Sequence, residues 1–365
     1  MRNWWLVRDF DDALDFDRDL TGERAHADGG AGVATSVAED FDEQIGAAVD
    51  AGSLAVVYNQ RDPHSRILAE RYAKARNIPA AHLIEISLNP RNPVISGAEF
   101  KPILSDLVAR VPRAVEAYAL VWKMPYRVGC MSITSAFALG FDKKYCAKGC
   151  QKTAASPYYD SYTKLPFTRH GIRPAMLLTG GTLTSTERLL ERGLAAQALA
   201  SPRPAAYLVS SSDVNRGTRN ARYATASRSF SKSLDVQLVS SDGVQSRNNV
   251  MFYFIGAKFV PALDSLQFLP GAIADHLTSA GGVLEGDAQM SAMEWIDAGA
   301  TGTYGTVVEP CNFAQKFPDP VVVMDHYLKG DTLIEAYWKS VQWPGQGLFI
   351  GEPLAQPFNA ATKLN

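Results

Sequence analysis

The sequence predicts an α/β fold: a mainly parallel sheet with helices on both faces. Three observations carry this expectation: short continuous apolar runs suited to strands buried on both faces, helical periodicities between them, and capping residues where the helices should begin. The first run is Ser53–Tyr58. Asp62 and Pro63 then supply an N-cap and a proline at the first helical position, and Ile67, Leu68, Tyr72 and Ala75 recur at helical spacing as far as Asn77-Ile78-Pro79. Leu83–Ile86 reads as a second strand, residues 97–111 as a second helix and Ala117–Trp122 as a third strand. Residues 123–172 interrupt the alternation with Gly, Pro, Ser, Tyr and three cysteines. It resumes with a strand at Pro174–Leu178, a helix from Thr184 to Ala198, a strand at Ala205–Val209 and a basic stretch from Arg216 to Lys232. Further strands are expected at Val236–Val239, Val250–Ile255, Gly271–Asp275 and Ala300–Val308, and helices at 288–298, 321–329 and 332–340. So many strands fit one wide sheet or two adjoining halves.

These segments divide the chain into an acidic extension or linker (1–48), a first α/β half (49–122), an irregular excursion (123–172), a second α/β half (173–358) and a tail (359–365). In the extension, six aspartates from Asp9 to Asp19 interleave with Trp4, Trp5, Phe10 and Phe16, which favours docking on the body or on a partner. The whole chain, 365 residues and 46% hydrophobic, has material for a large core. Its 36 Lys and Arg against 38 Asp and Glu lack the basic footprint of a nucleic-acid binder. With no apolar run of about 18 residues, neither a membrane span nor an export signal is expected. Cys130, Cys146, Cys150 and Cys311 are too few for a disulfide scaffold. They read as free buried thiols or, in an oxidising setting, as a Cys146–Cys150 bridge with Cys130–Cys311. The C-x3-C spacing departs from zinc-ribbon pairs and no intact phosphate loop is present, so neither metal nor cofactor is expected.

In an open parallel sheet, ligands gather beyond the carboxyl ends of the strands. Here those positions are Asn59, Lys123, Thr179–Gly181, Asp213, Gly256–Lys258, His276–Ser279 and Glu309–Cys311. Gly180-Gly181-Thr182 reads as a tight turn with a helix cap. Gly299–Gly305 enters a strand instead of opening a helix, which points to close backbone packing. Arg216, Arg219 and Arg222, three residues apart, would share one drifting helical face that is solvated or meets an anionic partner.

Val57-Tyr58-Asn59, Ala69–Ala73, Arg76–Pro79, Pro125–Val128, Ser132–Thr134, Leu269–Ala272, Ala298–Gly305, Glu309-Pro310 and Gly351–Leu354 together resemble a bacterial family of conserved proteins of unknown function. Its members often carry an export signal, so the resemblance implies an exported protein if an upstream start exists. Tyr253–Ala257, Ala274–Gly282, Ala298–Gly305 and Gly351-Glu352-Pro353 also resemble, remotely, the caspase-hemoglobinase fold and in particular gingipain-type cysteine peptidases. That resemblance implies a catalytic histidine after Gly256 and a cysteine near Ser279. Alanine stands at 257 and serine at 279.

A serine hydroxyl is a poor nucleophile without a base to take its proton. His276, three positions before Ser279, would point to the opposite face of a strand. The expected function is therefore a non-catalytic caspase-like scaffold that binds a protein or cell-envelope partner, such as a surface glycan, through Asn59, Lys123, Asp213, Ala257 and Asp275. The alternative is a peptidase-like hydrolase using His276 with Ser279 or Cys311, its imidazole oriented by Glu309 or Asp275.

Overall fold

The computed structural model describes residues 46–147, 149–197 and 203–359. The acidic extension up to residue 45, the expected helix end at Ala198 and the tail beyond Asn359 lie outside the described residues. In chain order the elements begin with β1 (Leu54–Asn59), α1 (Pro63–Arg76), β2 (Leu83–Ile86), β3 (Val94–Ile95), α2 (Gly97–Arg110), β4 (Ala117–Val121), β5 (Arg127–Val128), β6 (Met131–Ser132), α3 (Ile133–Leu139), α4 (Pro166–His170) and β7 (Ala175–Leu177). They continue with α5 (Leu183–Ala195), β8 (Ala205–Ser210), α6 (Tyr223–Phe230), β9 (Asp235–Ser240), β10 (Arg247–Gly256), β11 (Leu266–Leu277), α7 (Met293–Ala298), β12 (Gly302–Thr306), α8 (Pro320–Leu328), α9 (Leu333–Ser340) and β13 (Gly347–Gly351).

Ten strands form one wide sheet in the order β2-β1-β4-β7-β13-β12-β11-β10-β8-β9, and β3, β5 and β6 pair in a small second sheet. Every neighbouring pair in the wide sheet is parallel except β12 with β13. The sheet is therefore two five-stranded parallel halves running in opposite directions. The carboxyl ends of β1, β4 and β7 lie at one edge and those of β8, β10, β11 and β12 at the other. The strands thus form one wide sheet, and its two parallel halves do not follow the sequence division at residue 172, because β7 and β13 join β1, β2 and β4.

Burial explains why the strands were legible. All residues of β1, β4 and β12 are buried. In β8, alternate residues divide between two cores: Ala205, Tyr207 and Val209 pack with Tyr253, Ala274 and Trp295, whereas Ala206 and Leu208 pack with Phe252, Phe254 and Ile273. Helix α1 begins as expected, with Asp62 accepting from the His64 N–H and Pro63 opening the helix. It buries Leu68, Ala69, Tyr72 and Arg76. Arg76 makes a buried ion pair with Glu352, 2.7 Å long, and donates to the Gly193 carbonyl, which ties α1 to α5 and to the end of β13.

Some expectations shift. The helix expected at 288–298 spans only Met293–Ala298, because Gln289 and Met290 instead accept hydrogen bonds from the turn after β11 and from His276. The basic stretch contains a 3₁₀ helix, Val214–Arg222, followed by α6. Strand β13 and helices α3 and α4 were not expected. Among the described residues, no helix is long and apolar enough to cross a membrane.

Candidate functional site

Strand order reverses direction between β1 and β4 in the first half and between β8 and β10 in the second, the switch points at which open α/β sheets hold ligands. At the first switch, Asn59 is buried and bonded through both the nitrogen and the oxygen of its side-chain amide. Its Nδ2 donates to the Leu88 carbonyl, and its Oδ1 accepts from the Leu88 and Arg61 N–H groups, which pins the loop after β2. Among the described residues Lys123 donates to the Gly181 carbonyl alone, at 3.5 Å, beside a cavity of about 160 Å³. The Gly180 N–H bonds Thr186 Oγ1 and the Gly181 N–H bonds Asp297 Oδ1, while Thr182 caps α5. These glycines thus form a capped turn whose amides are already taken.

At the second switch, Asp213 caps the 3₁₀ helix through the Arg216 N–H and pairs with the Arg216 guanidinium at 2.5 Å. A 3₁₀ helix has three residues per turn, so Arg216, Arg219 and Arg222 stack on one face without drifting. Each has its own carboxylate: Asp213, Asp275 and Asp319 respectively. Gly256 lets the end of β10 touch this helix, since a Cβ there would lie 2.0 Å from the Arg216 carbonyl oxygen. Ala257 is buried in the core that contains Trp295.

His276 is buried and both ring nitrogens are engaged. Trp295 Nε1–H donates to Nδ1 at 2.9 Å, and Nε2 bonds the Met290 carbonyl at 3.0 Å. An indole N–H only donates and a carbonyl only accepts, so the partners fix the neutral tautomer with its proton on Nε2. Burial pushes the imidazole pKa down to about 4. Neighbouring Asp275 points to the other face of β11, where it pairs with Arg219 at 2.5 Å. Burial raises its pKa, and Arg219 opposes the rise.

Ser279 occupies the turn after β11. Thr306 Oγ1 holds that turn through the Thr278 and Ser279 carbonyls, and Gln289 holds it through Thr278 Oγ1 and the Ala280 N–H. Gly281-Gly282 lies against the backbone of Gly305, where a Cβ on Gly305 would sit 2.3 Å from the Gly281 carbonyl carbon. This is the close backbone packing expected of the glycine-rich segment. Exposed Glu309 accepts from the Cys311 N–H at 2.8 Å. His276 is thus bonded to none of Ser279, Cys311, Glu309 and Asp275, and the hydrolase arrangement is not assembled.

The cysteines pair differently from either expectation. Cys130 bonds Cys146 and Cys150 bonds Cys311, with Cα–Cα separations of 5.5 and 5.4 Å. Cys146 closes the 3₁₀ turn Lys143–Tyr145, and Gly149, with φ of 69°, turns the chain before Cys150, so the two neighbours meet different partners. The sulfur of Cys311 is therefore not a free nucleophile.

Two cavities adjoin the 3₁₀ helix, with Phe317 lining both. One, of about 230 Å³, is bordered by Arg216, Ser279 and Asn312. The other, of about 340 Å³, is bordered by Tyr159, Arg222, Gln315 and Asp319. Sequence reasoning reached the arginines through their spacing, but nothing local marks Tyr159, Gln315 or Asp319 as their neighbours. No family model, curated protein or solved structure gave a significant match to the chain.

Proposed function

We propose that this protein is a non-catalytic caspase-like scaffold that binds a protein or cell-envelope partner at the carboxyl edge of its second half. The observation that carries the reading is the state of His276. A general base works best with a pKa near the operating pH and within reach of the proton it takes. His276 has a pKa of about 4 and no vacant nitrogen. Freeing it for Ser279 would break two buried hydrogen bonds, and protonating it near neutral pH would cost about 3 kcal/mol more. Ala257 offers no substitute base, and the disulfide removes Cys311. What the edge does offer is two cavities beside a ladder of paired arginines.

Incubation with a fluorophosphonate, an iodoacetamide probe and a peptide library tests this directly. Neither Ser279 nor Cys311 should be labelled in the folded chain, and no peptide should be cleaved. Cleavage that disappears in the His276→Ala variant would overturn the reading.

A further inference from the structure

We infer that a neutral carbohydrate chain lies along the 3₁₀ helix in a groove spanning its two cavities, an inference that rests on the binding reading above and names the class of its ligand. One wall of the groove is the 3₁₀ helix, whose arginines recur about every 6 Å along its axis. Arg216 pairs with Asp213 at 2.5 Å, Arg219 with Asp275 at 2.5 Å and Arg222 with Asp319 at 2.8 Å. Three cations face three anions, so the ladder carries no net charge. It does carry spare donors. They are not on Arg219, which is only 2% exposed and whose Nε–H, without an acceptor among the described residues, is buried out of a ligand's reach. Arg222 engages its carboxylate through Nε, and among the described residues its terminal amino groups have no hydrogen-bond partner. Exposed Asn312 borders the smaller cavity and exposed Gln315 the larger, where half-buried Tyr159 adds aromatic surface; Phe317, behind both, is buried.

Three ligand classes fare differently here. An apolar ligand would cover these polar groups without bonding them, at about 1–3 kcal/mol for each one stranded. An anion would have to share guanidinium groups already held by Asp213 and Asp319, and like charges set against each other across an interface cost several kcal/mol. A hydroxyl both donates and accepts, so it satisfies an arginine N–H and a carboxylate oxygen of one ion pair without disturbing the charge balance. A sugar chain repeats such hydroxyls along its length and offers a less polar ring face to Tyr159.

The test is calorimetric titration of the full chain with neutral tetra- and pentasaccharides (β-glucan, mannan and N-acetylglucosamine series), with a sulfated oligosaccharide and a neutral decapeptide as comparisons. At least one neutral sugar should bind, with affinity changing less than about threefold between low and high salt. Arg222→Ala and Gln315→Trp should each weaken it at least about tenfold. Both residues are exposed enough to alter without loss of fold, and an unchanged thermal midpoint verifies this. Failure of every neutral sugar to bind at ~5 mM, binding confined to the sulfated sugar or the peptide, or full affinity in Gln315→Trp would overturn the inference. Hydrolysis of a bound oligosaccharide would overturn the non-catalytic reading and leave the ligand class standing.

Discussion

His276 links a single side chain to the pH response of the whole protein. Its folded pKa of about 4 lies below the ordinary value of 6.5, so the folded state favours the neutral ring. The stability this contributes is complete above pH 6.5 and is lost as pH falls from there toward 4, by about 3 kcal/mol at the lower end. Urea unfolding between pH 7.5 and 4.5 should show wild type losing stability on acidification. His276→Gln should be less stable at neutral pH but flatter across that range. Equal slopes in the two proteins would show that the ring already titrates in the folded state. Gly305 makes a simpler residue-scale case. Its missing side chain is what lets β12 meet Gly281-Gly282, so Gly305→Ala should cost about 1–3 kcal/mol or more, measured by the same unfolding. The sequence disclosed part of this. The vacancy at Ala257 could be read directly and the separation of His276 from Ser279 followed from strand geometry, but Trp295 and Met290 come from a distant segment that no local pattern connects to the ring.

Elements were legible where burial governs them and obscure where contact between elements does. β1 and β4 are wholly buried and announce themselves as apolar runs. β13 is also wholly buried, yet glycines bound it and Pro344-Gly345 precedes it, so it reads as a loop. Those glycines answer tertiary demands: a Cβ at Gly347 would lie 2.0 Å from the Tyr304 hydroxyl, and one at Gly351 would lie 2.6 Å from the Thr301 carbonyl oxygen. Helix 214–222 shows the converse. Its arginine spacing was visible, and the 3₁₀ geometry turns an expected drift into a straight ladder whose middle member is buried against Asp275. Removing one partner of such a pair leaves an uncompensated buried charge, whereas replacing both with apolar groups does not. Arg219→Met alone should therefore cost about 3–5 kcal/mol, and Arg219→Met with Asp275→Leu should recover most of that loss. A double-mutant cycle showing simple additivity would mean that the pair is not coupled in the folded protein.

At the scale of the molecule, two features escape any single-sequence reading: strand direction and cysteine partnership. An apolar run looks the same whichever way it points, so the antiparallel seam of β12 with β13 was invisible although the strands beside it were not. Four cysteines allow three pairings, and only the path of the excursion selects among them. The selected pairing has unequal consequences. Cys130–Cys146 closes a loop of 16 residues, whereas Cys150–Cys311 spans 161 and fastens the excursion to the loop after β12, at the edge of the proposed groove. If a disulfide acts mainly by restricting the unfolded chain, the short link contributes about 3 kcal/mol and the long one about 5 kcal/mol. Cys150→Ser with Cys311→Ser should accordingly lower the urea midpoint more than Cys130→Ser with Cys146→Ser. The sugar affinity should fall only in the first variant, because only that bridge anchors the wall carrying Asn312 and Gln315. Equal losses of stability would assign the effect of both bridges to the native state instead of the unfolded chain, and unchanged sugar binding would detach the bridge from the groove.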